Sequence, residues 1–385
     1  MADRPTAPHA TPFRLGYRPA LDGVRGLSVL AVMGYHASLS FLKGGFLGVD
    51  AFFVLSGFLI TTLLMEEWRG RGGVSLRDFY ARRALRLLPA VVLVLLAVAV
   101  YAAAFAERGE AAAIWPEAGS TLLYVANWFR VFTDAPFGFH LTHTWSLAIE
   151  EQFYVVWPLL LLGLLLLGLS RRARLGVAAA GAALSAVAMV ALTGAGAHDI
   201  VRAYYGTDTR AQSLLIGCVV GLVATGGILP ASARALRRLR TGALVGGAFV
   251  LVLWVGVSLS SPFLYRGGFT LEALAVALVV THLLVAPAGL AARALALGPL
   301  VWVGRVSYGL YLWHWPAFLV LSRDRLGLSF WPTTAVRVAV TFALAAVSFY
   351  AVERPMLALK ARFGRLPDER AAPLPVGAEP VPALA

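Results

Sequence analysis

The feature that most constrains this chain is a succession of long apolar runs. About ten of them have the roughly 20 residues that an α-helix needs to cross a bilayer. Hydrophobic residues make up 59% of the sequence and charged residues only 14%, against about 25% charged residues in a soluble globular domain. The pattern predicts an all-α, polytopic membrane helix bundle, with spans near residues 22–41, 46–66, 87–106, 145–168, 175–194, 211–229, 242–259, 268–286, 299–321 and 332–352.

The basic residues lie in short clusters between these runs. Most of the 33 Lys and Arg residues fall on one side of the membrane if the N-terminus is cytoplasmic, as the positive-inside rule favours. Both termini are then cytoplasmic, in a multi-pass protein of the cytoplasmic (inner) membrane. The net charge of +13 therefore reflects topology, and nucleic-acid binding is not expected. The polar ends, 1–18 and 359–385, are predicted to be disordered tails around a transmembrane domain at 19–358.

Polar residues at bilayer depth are costly, so each one is a candidate for function. His36 follows Arg25 by eleven residues, or about 16 Å along a helix with a rise of about 1.5 Å per residue. A neutral imidazole there could take a proton from an alcohol. The alternative is a histidine that joins two helices through a hydrogen bond. The full set of such residues is His36, Asp50, Glu150, Glu151, Glu272, His282, Arg305, His314 and Arg337.

A pair of arginines precedes the third apolar run. Arg82 and Arg86 are four residues apart and share one face of a helix. Two guanidinium groups on one face could clamp phosphates. The alternative is ordinary charge that sets topology.

A histidine and a carboxylate occur where the chain enters the fourth run. His143 and Glu150 are seven residues apart, hence on one face if a helix includes both. The carboxylate could then orient the histidine and stabilise its cation. Alternatively, both belong to a polar and aromatic belt at the membrane interface.

A third histidine lies in the ninth run, in GRVSYGLYLWHWP. Ser307, Tyr311 and His314 share one helix face, and His314 lies at a depth close to that of His36. The two histidines could therefore line one cavity. The single cysteine, Cys218, cannot form a disulfide within the chain. No metal is expected, because the sequence has no HExxH, Walker A or GxSxG motif and no CxxC pattern.

Seven sequence blocks, taken together, carry a resemblance. The chain resembles the acyltransferase-3 family of bacterial integral membrane O-acyltransferases, and the blocks occur in that family's order over about residues 17–356. They are LDGVRGLSVLAVMGYH (21–36), GGFLGVDAFFVLSGFLI (44–60), FYARRALRLLPA (79–90), HTWSLAIEEQFYVVWP (143–158), TDTRAQSLLIG (207–217), GRVSYGLYLWHWP (304–316) and VERP (352–355).

The resemblance implies transfer of an acyl group, usually acetyl, from acyl-CoA to a hydroxyl of an acceptor. The acceptor would be a surface glycan, a glycolipid or a macrolide-type metabolite, and acetyl-CoA is the expected donor. His36 resembles the family's catalytic histidine, and Arg82 and Arg86 resemble its RxxxR motif for the donor. Other candidates from the blocks are Glu150, His143 and His314 for catalysis, Arg25 for the donor, and Asp50, Tyr311, Asp208 and Arg210 for the acceptor.

Two other interpretations stay open at this point. A transporter or flippase that moves an acyl group or an acylated carrier would also use many helices with buried ionisable groups. A structural or regulatory membrane protein would not need so many costly polar residues. Long members of the family carry a hydrolase-like domain after the last span, and a chain that ends at residue 385 is expected to lack it.

Overall fold

The computed structural model describes residues 13–133, 140–194 and 196–363, and within these ranges it contains helices and turns without any β-strand. This confirms the all-α prediction. The α-helices are α1 (Pro19–His36), α2 (Gly48–Arg71), α3 (Leu76–Ala104), α4 (Arg108–Leu122), α5 (Ala126–Phe132), α6 (Trp145–Leu166), α7 (Arg171–Leu192), α8 (Ala197–Tyr205), α9 (Thr207–Thr225), α10 (Ala233–Gly256), α11 (Phe269–Val285), α12 (Leu290–Leu295), α13 (Gly298–Arg305), α14 (Ser307–Val320), α15 (Arg323–Leu326), α16 (Phe330–Ser348) and α17 (Arg354–Ala358).

Shorter helical turns connect several of these helices. Four are 3₁₀-helices, at Ser40–Leu42, Gly45–Leu47, Thr142–Thr144 and Leu359–Arg362, and two are π-helices, at Leu264–Gly268 and Phe349–Glu353.

Among the described residues, seven helical segments are long and apolar enough to cross a membrane, so the chain is a multi-pass membrane protein. The predicted spans near 22–41, 211–229 and 299–321 correspond to α1, α9 and the α13–α14 pair, which lie outside that set. The total of about ten spans and the cytoplasmic placement of both termini stay predictions. The seven are Gly45–Arg71, Leu76–Ala104, Thr142–Leu166, Arg171–Leu192, Ala233–Gly256, Leu264–Val285 and Phe330–Ala358.

The helices differ in how deeply they are buried. In α2, 78% of the most apolar stretch is buried, against 17% in α7. α2 packs along α9 more extensively than any other described pair. A Cβ atom on Gly57 would overlap the carbonyl oxygen of Leu214, and one on Gly217 would overlap that of Val54. Small residues let two backbones approach in this way, so α2 and α9 form the centre of the bundle.

Several predicted spans have the wrong limits. α10, for example, begins at Ala233 rather than at 242. α1 stops at His36 because the next residues close a Schellman-type cap, in which Leu39 N–H donates to Gly34 O at 3.0 Å and Ser38 takes a left-handed φ of 60°. α3 begins at Leu76 and continues through Pro89, so the arginine segment belongs to the helix itself. The span at 299–321 is broken at Val306 into two helices. Hydropathy measures apolar content and does not register such changes of backbone direction.

The ends of the chain are described in part. Residues 1–12 and 364–385 lie outside the described residues, so the predicted disorder there is not tested. In the described part of the first segment, Leu15 is buried and its N–H donates to Glu66 Oε1 at 2.6 Å. The domain limits at 18 and 359 stay predictions.

Candidate active site

Two cavities of different character lie along α1. The arginine cavity, about 80 Å³, has a polar wall of Arg25, Arg83, Arg86, Ser56, Glu150 and Tyr154. The histidine cavity, about 770 Å³, is lined by two histidines, six aromatic residues besides Tyr311, and one cation: His36, His143, Tyr35, Phe46, Trp145, Tyr204, Tyr205, Trp315 and Lys43. Val49 and Tyr311 line both cavities, so the two spaces meet at these side chains. On α1, Arg25 and His36 are separated by about 16 Å of helix.

A hydrogen-bond relay fixes the protonation of His36. His36 Nδ1 lies 2.9 Å from His314 Nε2, and His314 Nδ1 lies 2.6 Å from the carbonyl oxygen of Tyr311. Since a carbonyl can only accept, the proton of neutral His314 is on Nδ1, and its Nε2 accepts from His36 Nδ1–H. The remaining ring nitrogen of His36, Nε2, therefore carries a lone pair.

Aromatic rings hold this pair in place. The ring of His36 stacks on that of His314, with centroids 5.0 Å apart, and lies 4.6 Å from the ring of Trp315. His314 is fully buried and stands behind His36, away from the cavity wall. The structure therefore brings the two predicted histidines together, with only His36 in contact with the cavity.

The third histidine is positioned by a proline. Pro316 has no N–H, so the carbonyl of Leu312, four residues earlier in α14, lacks its usual helical donor. His143 Nε2 lies 3.1 Å from that carbonyl oxygen and supplies the missing hydrogen bond. The Nδ1 atom of His143 is buried and has no partner among the described residues. Pro316 thus explains why a histidine from the turn before α6 docks on α14.

Tyr311 connects the two cavities and the two histidine-bearing segments. Its hydroxyl donates to the carbonyl oxygen of His143 at 2.8 Å and lies 2.6 Å from Ser146 Oγ. Its own carbonyl receives the His314 ring proton. The side chain of Tyr311 thus forms the junction, while its main-chain carbonyl begins the relay.

Glu150 does not orient His143 as the spacing suggested. It lines the arginine cavity and accepts a hydrogen bond from Ser56 Oγ at 2.6 Å. The prediction that this carboxylate orients the histidine is wrong, because His143 lies in the 3₁₀ turn that precedes α6, where helical spacing does not apply. The carbonyl of Leu312 takes the expected role.

The arginines of α3 divide between two environments. Arg86 lines the arginine cavity, and so does Arg83, whose guanidinium lies 3.5 Å from the centre of the Tyr154 ring. Arg82 is absent from that lining and instead pairs with Glu67 at 3.1 Å. The predicted pair of Arg82 and Arg86 thus has one member in the cavity, and the sequence analysis missed Arg83. The three-residue spacing of 83 and 86, which also places two residues on one helix face, was the available signal.

Three of the four predicted acceptor residues are held in ion pairs within the protein. Arg210 Nη2 lies 2.7 Å from Asp50 Oδ2 and Ser213 Oγ donates to Asp50 Oδ1 at 3.0 Å, which ties α2 to α9. Asp208 forms a two-point ion pair with Arg202. None of these residues lines either cavity, so of the four candidates only Tyr311 is placed to contact a substrate there.

The histidine cavity also contains aromatic residues that the sequence analysis did not select. The Tyr204–Tyr205 pair at the end of α8 packs beside Trp145, whose ring lies 4.8 Å from that of Tyr204. Tyr35 and Trp315 flank His36. The consecutive tyrosines and the residues next to each histidine were visible as a pattern, but only the fold brings them around one space.

The family model described as "Acyltransferase domain" matches residues 18–353. The chain belongs to this acyltransferase family. The match covers α1 to the π-helix Phe349–Glu353, and so includes both cavities.

Curated relatives are similar over most of this chain. The peptidoglycan O-acetyltransferase OatA of Listeria monocytogenes is 37% identical over 359 residues, which is 88% of this chain and 56% of the relative. The putative peptidoglycan O-acetyltransferase YrhL of Bacillus subtilis is 35% identical, over 88% of this chain and 55% of the relative. A putative O-acetyltransferase of Staphylococcus aureus is 34% identical, over 80% and 51%. The chain thus spans about half the length of these relatives. No solved structure matches it significantly.

Proposed function

We propose that this chain transfers an acetyl group from acetyl-CoA to a hydroxyl of a glycan, with His36 as the general base. The observation that carries the proposal is the relay from the Tyr311 carbonyl through His314 to His36. It leaves an unprotonated Nε2 on a ring that lines the larger cavity. A neutral, oriented imidazole is what removal of a proton from an alcohol requires.

The chemistry balances with the groups present. The acceptor hydroxyl attacks the thioester carbonyl carbon, a C–O bond forms, and the C–S bond breaks. The hydroxyl proton goes to His36 Nε2 and can then pass to the leaving thiolate, which gives coenzyme A and an O-acetyl ester. The cationic imidazole is favoured because His36 is the last residue of α1, where the negative end of the helix dipole lies, an effect of about 0.3–1 kcal/mol.

The arginine cavity is suited to the donor. Arg25 from α1 and Arg83 and Arg86 from α3 converge there, and guanidinium groups bind phosphates with two hydrogen bonds each. The rest of that wall includes Leu59, Ile60 and Leu63, which suit the uncharged arm of the donor. The phosphates would stay at the arginine end while the thioester reaches the junction at Tyr311, toward His36.

The acceptor is proposed from the shape of the histidine cavity and from the relatives. Six aromatic residues besides Tyr311 offer flat apolar faces to sugar rings. The printed names of two relatives specify peptidoglycan, so a peptidoglycan-type glycan is the first acceptor to test. A glycolipid and a macrolide-type metabolite are the other acceptors.

The direct test uses the purified full chain in lipid nanodiscs with acetyl-CoA labelled in the acetyl group. We expect label in a peptidoglycan-derived oligosaccharide, and much less with a glycolipid or a macrolide. Label in either of those instead would replace the acceptor but keep the reaction. Binding of acetyl-CoA without acetylation of any of these acceptors would point to the second candidate below.

A second candidate function rests on the junction of the two cavities. Because Val49 and Tyr311 line both, the bundle could pass an acetyl group from one membrane face to the other for a separate acceptor protein. In that case the purified chain would turn over only when that partner is added.

Orientation is part of the proposal, because the donor is cytosolic. The charge pattern places both termini, and therefore the arginine end of α1, in the cytoplasmic part of the inner membrane. Reporter fusions at Leu366 and within 106–144 should report opposite sides of the membrane. Reports from the same side would reject this map.

A further inference from the structure

The stretch after α16 folds back onto α3. The π-helix Phe349–Glu353, α17 and the turn Leu359–Arg362 all pack against α3. The end of this stretch is tied down by Arg82, whose Nη1 donates to the carbonyl oxygen of Phe363 at 3.1 Å. Residues 354–363 therefore lie beside the helix that supplies two arginines to the arginine cavity.

Lys360 stands among these arginines. Burial disfavours its charge, and the nearby guanidinium groups of Arg86, Arg83, Arg82 and Arg25 disfavour it further, which lowers the pKa of Lys360 to about 6. Three segments thus direct basic groups at one place: α1, α3 and the turn Leu359–Arg362. A lysine in such a place is predominantly neutral at neutral pH.

The carboxylates near this cluster leave some of its buried guanidinium atoms without a hydrogen-bond partner among the described residues. Glu67 is shared between Arg82 and Arg71. The Nε atoms of Arg25 and Arg83 are buried without a hydrogen-bond partner in the part of the chain that the structure describes. Buried donors and like charges cost free energy unless an anion compensates them. The other carboxylates that face the arginines are Asp22, Glu150, Glu151 and Glu353.

We propose that Lys360 is a donor-binding residue that contacts a phosphate group of acyl-CoA. Residues 354–363, which pack against α3, then add a further contact to the donor site. This inference rests on the proposed function, since it names a further contact for the same donor. A polyanion placed among these groups would offer partners to the unpaired guanidinium atoms and would favour the ammonium form of Lys360.

Binding should then be coupled to proton uptake. The free protein holds Lys360 mostly neutral above pH 6, and a phosphate beside it stabilises the protonated form. At low pH the ammonium is already present and contributes fully to affinity. As pH rises above the free pKa, binding must take up a proton, so the contribution of Lys360 to affinity declines by up to about tenfold per pH unit.

The experiment measures dissociation constants for acetyl-CoA with the full chain in nanodiscs. Lys360→Met keeps the length of the side chain and removes its charge. Arg362→Met is the matched control, because Arg362 is an exposed cation on the same turn. We expect Lys360→Met to weaken binding by about tenfold and Arg362→Met to change it little. The ratio of dissociation constants, Lys360→Met over wild type, should fall from about pH 6 to about pH 8. The ionisation of the phosphates is common to both proteins and cancels in that ratio.

Shortened donors identify the contact. If Lys360 binds the 3′-phosphate, the mutant's defect disappears with acetyl-dephospho-CoA; if it binds the diphosphate, the defect persists there and disappears with acetyl-pantetheine. Either result supports the proposal. An unchanged affinity in Lys360→Met, or an equal loss with all three donors, overturns it. If the wild-type chain itself fails to bind acetyl-CoA, the proposed function fails first, and the two failures are thereby distinguished.

Discussion

The two cavities differ in the kind of polar group that each one contains. The arginine cavity has three guanidinium groups around about 80 Å³, whereas the histidine cavity has neutral imidazoles and aromatic rings around about 770 Å³. Two side chains, Val49 and Tyr311, belong to both. Permanent charge near one end of α1 suits a phosphorylated ligand, and a neutral base at the other end suits proton transfer.

The bundle therefore separates the groups suited to phosphate binding from the group suited to proton transfer. An imidazole beside the arginines would be held neutral but would compete with the donor for space. An arginine beside His36 would oppose formation of its cation. Separation along about 16 Å of α1 avoids both conflicts. If this division is correct, variants at the two ends should affect different kinetic constants.

The largest effect is expected at the histidine end. His36→Ala should lower turnover by about 10²–10⁴-fold and leave the dissociation constant of acetyl-CoA unchanged, because the donor's charged groups bind elsewhere. His282→Ala, at a histidine that lines neither cavity, is the control. Near-normal turnover of His36→Ala would transfer the base role to His143, whose Nδ1 has no partner in the described chain.

The arginine end should give the complementary result. Arg83→Ala with Arg86→Ala should weaken acetyl-CoA binding by about 100-fold, through loss of charge-assisted hydrogen bonds. Arg86→Lys should weaken binding less than the double substitution, because lysine keeps the positive charge. It should still weaken binding, because an ammonium cannot form the two-point contact. The affinity for the acceptor should be largely retained.

Arg82 offers a sharper form of that test. The sequence resemblance favours Arg82, whereas the geometry favours Arg83, because Arg82 is paired with Glu67. We expect Arg82→Ala to weaken donor binding less than Arg83→Ala does, as measured by titration of each single variant. The reverse order would return the role to the RxxxR pair.

The relay behind His36 should give an intermediate effect. His314→Phe removes the acceptor for His36 Nδ1–H and should lower turnover by about tenfold, with the acetyl-CoA affinity preserved. His314→Gln retains a side-chain acceptor and should recover part of the loss. A pH–rate profile separates orientation from mere packing, since only loss of the relay would move the apparent pKa of the base. An unmoved profile in both variants would assign His314 a packing role.

The smallest effect concerns the turn that carries His143. Burial raises the pKa of Glu117 to about 7 from its ordinary value of 4.5, and its carboxylate accepts from Leu141 N–H at 3.1 Å and Thr142 Oγ1–H at 3.4 Å. The folded state therefore holds a proton that the unfolded state releases between pH 4.5 and about 7. Stability should be greatest below this window and decline as pH rises through it.

Thermal unfolding across that window provides the measurement. Glu117→Gln should remove the dependence, a change on the order of a few degrees in Tm. The exposed Glu107→Gln should retain it. Identical pH profiles for wild type and Glu117→Gln would show that Glu117 keeps an ordinary pKa.

The buried polar residues show how far the sequence can be interpreted. Their cost in a bilayer made both His36 and Asp50 candidates, yet their fates differ. Asp50 pairs with Arg210 and accepts a hydrogen bond from Ser213, which joins two helices. His36 has one nitrogen engaged by His314 and one left available. The free-energy cost of burial identifies a polar residue as unusual. Only its hydrogen-bond partners show whether it joins two helices or is available for reaction.

The class of the molecule follows from the sequence alone, because long apolar runs and clusters of basic residues are visible without knowledge of any contact between segments. The family also follows from the sequence, through seven blocks that lie in order along the chain. The tertiary structure was needed to show that Arg83 rather than Arg82 lines the cavity, that Pro316 leaves a carbonyl available for His143, and that α1 ends at His36. Each of these depends on contacts between segments or on a change of backbone direction, and helical periodicity contains neither.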